Sequence, residues 1–535
     1  MRTEQIDSGE KISLFYEGLS KLLGPESLVS GPEQLAAYKS NVSGFERDTP
    51  FAVRPKNKEQ VIKIVELANR YTLALYPISQ GKNWGLGSKL PVRDACVIVD
   101  LSLMNRIVEV NREFGYAQIE PGVTQGQLAD YLQQNNIPFF LDVTGAGRET
   151  SIVGNTLERG VAYNSLRVEK LISLEIVLGK GEVLQTGYGH YQNSQVTPLF
   201  RHGIGPALDG IFVQSNFGIV TSAIVELLPV PECQTAFVAS LKDEDQIGKL
   251  VERLRLLKQQ RILDSVVHIA NKRRSEITLA PLVYEFFQKD KNGADRQASS
   301  DLVQRELKGS WSAIGSLMGT RVQVAESKRR VKEALAPFGK VNFIDVAKVK
   351  TAKRIAQLFG LKKKQAFIAA IEPLMGMTRG VPTDAALHSI YWPNAKQCEH
   401  WTEPDLGQSG ILFCAPIIPM NDSAVTRSVA TIEKLVAKLG FVPAITLNML
   451  HDKALEGVIS IDFNRADTEQ REKAHQCIRE LNSAFMDMGF FPYRIDINNM
   501  PMVVDMEDTF WRVVGELKQV FDPNGIIAPQ RYNAV

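Results

Sequence analysis

The chain has 535 residues, 44% of them hydrophobic and 23% charged, a balance that excludes disorder as the main state and at this length makes two domains the default. Lysine plus arginine number 62 against 60 acidic residues, a formal charge of +2, so the polyanion-binding surface of a nucleic-acid protein is not indicated. Five scattered cysteines argue against a disulfide scaffold and fit a reducing compartment.

The start, MRTEQIDSGEK, lacks the apolar core of a signal peptide, and no window of about twenty residues is apolar enough to span a bilayer. A cytoplasmic protein without a membrane partner is expected. Residues 12–23 and 61–71 carry apolar side chains at helical spacing. LALYPIS and ACVIVDL read as strands on either side of a glycine loop, and the alternation of RIVEVNREFGYAQIEPGV predicts a hairpin. Residues 125–136 form a short amphipathic helix, and 171–177 with 182–186 a second hairpin around GKG. Residues 210–225 are uncharged but interrupted by polar side chains, which predicts a buried strand and turn. From Pro229 the character changes to long helical patterns at 243–259, 326–336 and 423–439, separated by strand-like pieces. The polar run 292–307 reads as a mobile loop or a solvated helix, in either case a solvated surface, and 506–521 as a helix stopped by Asp522, Pro523, Asn524 and Gly525. The fold class expected is α+β, with boundaries at 1–230, 231–495 and 496–535.

The segment 77–87, PISQGKNWGLG, sets Gly81, Gly85 and Gly87 between two predicted strands. Glycines let several backbone N–H groups approach one anion, and phosphate is the natural guest. The spacing is neither the G-x-G-x-x-G of a Rossmann turn nor the G-K-S/T of a Walker loop, and alone it reads equally well as a surface turn. Three further glycine-bearing turns, at 121–124, 144–160 and 216–221, could surround one extended phosphate-bearing cofactor. For a metal, Cys398 and His400 are the closest pair of ligand types, and without a second pair beside them none is expected.

The order and wording of these segments resemble the FAD-binding domain of the vanillyl-alcohol oxidase and p-cresol methylhydroxylase family. The residues that carry the resemblance are GKNWGLGSKLPV, MNRIVEVNREFGYAQIEPGVTQGQLADYL, GNTLERGVAY, GIGPALDGIFVQSNFGIVTSAIVELLPVP and the terminal FDPNGIIAPQRY. The middle of the chain matches only at ILFCAPIIP and FFPYR. The resemblance implies a two-domain flavoenzyme of the PCMH type, whose α+β cap covers the flavin ring. It implies that Gly81, Lys82, Asn83, Trp84 and Gly85 wrap the pyrophosphate of FAD through backbone amides. Pro121, Gly122, Gly154, Asn155, Gly218, Ile219 and Val220 would line the rest, and Arg531 would close over it from the tail.

Oxidation by a flavin delivers a hydride while positive charge builds on the substrate carbon, so a base or anion must stand nearby. The family's Tyr-Arg pair, which binds substrates as phenolates, matches Tyr493 and Arg494. Its second clamp tyrosine falls at Leu86, and its aspartate base at Gly145 or its neighbour, with Asp142 and Glu149 as nearby carboxylates. The histidine or tyrosine that carries FAD covalently is missing around 409–419, where His400 and Tyr391 are the nearest candidates, and noncovalent FAD is expected. Glu456, at the head of an alternating strand, is a further candidate, with Tyr163, His388 and His451, although each also reads as a packing residue. The resulting expectation is an FAD-dependent oxidoreductase acting on a phenolic, alcohol or other anionic substrate. It would pass electrons to oxygen or an acceptor protein, and a homodimer is left open. Two alternatives stand beside it: oxidation of a 2-hydroxy acid, alditol or biosynthetic intermediate, including cyclisation, and a catalytically silent flavin-binding partner.

Overall fold

The computed structural model describes residues 7–288, 295–394 and 401–534. Its first sheet has four short strands in the order Leu28–Val29, Ala52–Val53, Val97–Asp100, Leu75–Ile78, with the last three parallel. Helices Ser8–Leu23 and Lys58–Tyr71 form where the apolar spacing predicts, and Asn57 caps the second by accepting from the N–H of Gln60. Their apolar faces, including Phe15, Leu19, Ile64 and Val65, close on the sheet as one core.

A second, antiparallel sheet has five strands in the order Ile107–Asn111, Tyr116–Ile119, Gly218–Glu226, Leu171–Leu178, Val183–Gln185. Both hairpins read from the sequence lie here, and the long Gly218–Glu226 strand inserts between them. The end of the chain returns to the first sheet: Leu75 exchanges backbone bonds with Ile526 and Ala528, each of 2.7 Å. Lys518, on helix Thr509–Phe521, is wholly buried and fixes this return. Its ammonium donates to Asp522 at 2.6 Å, to the Asn216 carbonyl at 2.5 Å and to the Ile527 carbonyl at 2.7 Å. Asp522 does more than stop the helix, because its carboxylate also accepts the N–H groups of Ile526 and Ile527.

Residues 233–464 build an eight-stranded antiparallel sheet. Its order is Val341–Ile344, Cys233–Leu241, Trp311–Gly319, Val267–Asn271, Ala444–Met449, Ala454–Asn464, Ser409–Cys414, with Ile417–Pro419 also on the Ala454–Asn464 strand. One face packs helices Ile247–Gln259, Arg321–Leu335, Asp422–Lys438 and Thr468–Asp487 into the largest core. Since side chains alternate across a strand, the opposite face carries another set, among them His268, Asn448 and Glu456.

The polar run at 292–307 is less solvated than expected. Its described part holds helix Arg296–Glu306, which buries Ser299, Ser300, Leu302 and Val303 against helix Lys272–Gln288. Two leucine/valine positions suffice to dock a helix whose small serines allow close approach. Cys398 and His400 lie outside the described residues, and among the described residues no group of three His, Cys, Asp or Glu is placed to hold a metal ion. No described helix is long and apolar enough to cross a membrane.

Candidate active site

A cleft of about 1130 Å³, including its open mouth, is lined by both N-terminal sheets and by the returning tail. Gly81, Lys82, Asn83, Pro121, Gly154, Asn155, Gly218, Val220 and Arg531 all lie on its wall, and Arg494 reaches it from the other side. Among the described residues, nothing accepts from the backbone N–H groups of residues 81–85. Successive unpaired amides of this kind make a nest for an anion, and the cleft beside them is extended enough for a dinucleotide. Asn155 Oδ1 is a buried acceptor left unsatisfied on the same wall. The residues present therefore fit FAD.

The loop uses its side chains elsewhere. The Lys82 ammonium pairs with Glu403 and sits 5.2 Å from the centre of the Trp84 ring, which leaves the backbone to meet phosphate. Arg531 pairs with Glu158 and hydrogen-bonds the Tyr76 hydroxyl, so a glutamate from the 150s turn holds the arginine over the cleft.

Four residues assigned to the cofactor from the resemblance are not on the cleft wall. Trp84 is buried with Leu387, Ile390, Tyr391 and Ile411, and its indole N–H donates to the Ala146 carbonyl at 3.2 Å. Gly85 faces Phe413, whose ring lies 2.3 Å from where a Cβ would stand. These two join the loop to the eight-stranded sheet. At Gly122 a Cβ would strike the carbonyl oxygens of Ser102 and Met104 at 2.6 and 2.7 Å, so this glycine serves a tight backbone crossing. Ile219 alternates with its neighbours: Gly218 and Val220 face the cleft while Ile219 packs into the first core.

Beyond Arg494 the eight-stranded sheet presents a polar row. Glu456, Asn448 and His268 are register partners on three adjacent strands, and such partners stand about 5 Å apart. Burial pushes the Glu456 carboxyl up to about 8, against the opposing pull of the Arg494 charge and with a smaller push from Glu169. Its Oε2 has no hydrogen-bond partner. Tyr493 bonds to Arg494 through its side chain, and burial drives its hydroxyl above the usual range. Arg494 also donates to Asn83 of the glycine loop, which ties the row to the cleft, yet its buried Nε has no acceptor.

His268 donates from Nδ1 to Asn448 Oδ1 at 2.7 Å, and burial holds its pKa down at about 4. It is neutral at physiological pH. Tyr163 packs its ring 4.6 Å from that of His268, and burial raises its hydroxyl. Sequence reasoning picked Tyr163 and Glu456 but missed His268 and Asn448. The available signal was a histidine in VVHIA and an asparagine in AITLNM, two largely apolar strands.

The other candidates are occupied elsewhere. Asp142 accepts from the backbone and side chain of Asn164 and from Ser165, a turn-capping role. His388 meets Glu285 at 3.1 Å, and half-exposed His451 meets Glu169 at 2.9 Å. Glu149 is exposed, Tyr391 is buried in the Trp84 cluster, and His400 lies outside the described residues. A Cβ at Gly145 would make only ordinary contacts, with Ala386 and the Tyr163 hydroxyl, so the glycine leaves space.

An FAD binding domain family matches residues 49–187. The chain is 28% identical over 526 residues to 1'-carboxy-chondrochloren decarboxylase of Chondromyces crocatus, covering 96% of each protein. It is 27% identical over 519 residues to the 4-cresol dehydrogenase [hydroxylating] flavoprotein subunit of Pseudomonas putida, covering 95% of this chain and 93% of that one. The crystal structure of p-cresol methylhydroxylase with substrate bound superposes with a TM-score of 0.82 at 26% identity, covering 99% of this chain and 98% of the other. Fold, cleft and relatives together define an FAD-dependent oxidoreductase. Within that class, the chain is similar over nearly its whole length to proteins of the p-cresol methylhydroxylase type.

Proposed function

We propose that this oxidoreductase takes a hydride from a small or medium organic substrate whose anionic group is held at Tyr493 and Arg494 and whose proton passes to Glu456. On this reading residues 1–230 and 496–535 hold FAD, residues 231–495 cover its ring, and FAD supplies the hydride acceptor. On this reading the cofactor is held without a covalent bond: of the two candidates, Tyr391 is not on the cleft wall and His400 lies outside the described residues, and Phe413 stands in the segment where the family carries its attachment residue.

The observation that carries the reading is a complementary pair of unsatisfied atoms. Arg494 Nε is a buried donor without an acceptor, and Glu456 Oε2 is a buried carboxyl oxygen without a partner, in electrostatic reach of one another. Leaving such groups unpaired costs free energy. A substrate that offers an anionic oxygen to the guanidinium and a hydroxyl to the carboxyl relieves both. Tyr493, kept neutral by burial, donates to the same anion, while Asn83 fixes the guanidinium plane. Glu456 accepts the proton only when ionised, so its turnover role strengthens as pH rises through about 8.

A carboxylate suits the planar fork of Arg494, and Leu86 stands where a second phenol-binding tyrosine would be. A carboxylate-bearing alcohol is therefore the first substrate class. A para-alkylphenol is the second, supported by the Tyr493–Arg494 pair and by relatives named for cresol. Electrons leave to oxygen or to an acceptor protein.

Anaerobic mixing of the FAD-loaded protein with panels of 2-hydroxy acids and para-alkylphenols tests this, with bleaching of the flavin band as readout. Arg494→Ala should slow bleaching about a hundredfold while leaving FAD bound. A protein bleached by neither panel, or an Arg494→Ala variant as fast as wild type, would overturn the reading. Acid precipitation should release the flavin into the supernatant; flavin retained in the pellet would mean a covalent link.

A further inference from the structure

Off the cleft wall, helices Val346–Leu358 and Lys362–Met377 form a hairpin. The second helix is anchored, burying Ala366 and Ala370 in the core of helix Lys272–Gln288. The first packs chiefly along the second and buries only Ala356. The turn between them is well formed: Gly360 adopts φ +62, and the Leu361 N–H returns to the Ala356 carbonyl at 2.8 Å. That turn holds a group of large apolar side chains in water, with Ile355 49%, Leu358 80%, Phe359 69% and Leu361 48% exposed. Scattered exposed apolar residues need no explanation, but four at one ordered tip do.

The tip is also strongly basic. Residues 346–371 contain Lys348, Lys350, Lys353, Arg354, Lys362, Lys363 and Lys364 and not one Asp or Glu. Lys348, Lys353 and Lys364 meet Asp345, Glu372 and Glu306, whereas Lys350, Arg354 and Lys363 form no ion pair among the described residues. The chain as a whole carries only +2, so this charge is local. We propose that the hairpin tip is a docking site for an anionic lipid bilayer, with Leu358, Phe359 and Leu361 entering the interface and the surrounding cations meeting lipid headgroups.

Three features favour this occupant. Apolar side chains ringed by cations are the arrangement that seats helices at a membrane surface. Six of the seven cations are lysine, which specific protein interfaces deplete while enriching arginine. A second copy of the chain is disfavoured, because a two-fold contact centred here would face one basic cluster with another. The sequence expectation of no membrane partner came from searching for spanning segments, and a peripheral hairpin escapes that search.

The test is co-sedimentation of the full-length, FAD-loaded protein with vesicles of phosphatidylcholine alone and of equimolar phosphatidylcholine and phosphatidylglycerol. Binding is expected only to the anionic vesicles, and it should weaken at high salt. The double variant Leu358→Asp/Phe359→Asp should bind at least roughly tenfold more weakly, and Lys350→Glu/Lys363→Glu should lose roughly fivefold or more per reversed charge. All four side chains are solvent-exposed, and the two independent variants keep a folding defect in one from deciding the result. Absence of vesicle binding, or equal binding by wild type and both variants, overturns the proposal. So does binding to polyglutamate without binding to vesicles, which would mark an acidic protein as the partner. A wild-type dimer that Leu358→Asp converts to monomer would assign the tip to a second copy.

Discussion

The cleft and the face of the eight-stranded sheet beyond it are built by different means. The cleft wall is built on main chain: glycines at 81, 154 and 218 lie on it, and among the described residues the amides of residues 81–85 are unpaired. The sheet face works through individual side chains, Glu456, Asn448 and His268, which come from strands up to about 190 residues apart and meet only through register. A backbone cradle recognises what all its guests share, on the proposed reading a pyrophosphate, whereas a side-chain row can be rewritten one residue at a time.

The largest expected effect breaks the cleft at its floor. Lys518→Met leaves the Asp522 carboxylate buried without its cation, and removing one partner of a buried pair costs about 3–5 kcal/mol. The tail should undock, lowering the melting temperature and the FAD content together. A variant with wild-type values of both would show that the tail is held by its backbone bonds alone.

Glu456→Gln acts on the sheet face and should leave FAD binding intact. Flavin reduction is expected to fall about a hundredfold, with loss of the rise through pH 8 that wild type should show. The stability consequence has the opposite slope. Because the folded carboxyl keeps its proton up to about 8 while the unfolded one releases it in the ordinary carboxylate range, folding loses stability as pH rises across that window. Thermal melts of Glu456→Gln should show a flatter dependence there, and an unchanged slope would remove Glu456 as its source.

Gly154→Val reverses the pattern. The added Cβ falls 2.3 Å from Ser79 Oγ on the cleft wall, and FAD affinity should drop roughly tenfold or more, since a displacement of this size is not absorbed by a packed wall. Titration of apoprotein with FAD measures it. The smallest effect is expected for Trp84→Phe. It removes one hydrogen bond to a carbonyl that Thr150 also bonds, at a cost of about 1 kcal/mol, and spares FAD affinity. A large loss of FAD in Trp84→Phe would return the residue to the cofactor site, where the resemblance put it.

The legibility of the two regions follows from the same contrast. The glycine turns stood out because backbone approach and turn geometry restrict residue type over short windows, and residues 81–83, 121, 154–155, 218, 220 and 531 all line the cleft. Trp84, Gly85, Gly122 and Ile219 sit in the same windows, yet a window does not say which side of the chain faces the ligand. Tyr493, Arg494 and Glu456 could be named one by one, but their assembly with His268 and Asn448 could not. The helical hairpin at 346–377 was passed over because its exposed leucines and phenylalanine look like any core helix in sequence.

By itself, then, the sequence determined the α+β class, the glycine turns that line the cleft and the return of the tail, since each rests on local pattern: helical spacing, alternation, and glycine where only glycine fits. Tertiary structure alone decided which polar groups stand side by side across strands, which glycines line the cleft and which pack, and which apolar side chains remain in water. Those outcomes depend on strand register and helix docking, which bring together residues hundreds of positions apart and which no local window encodes.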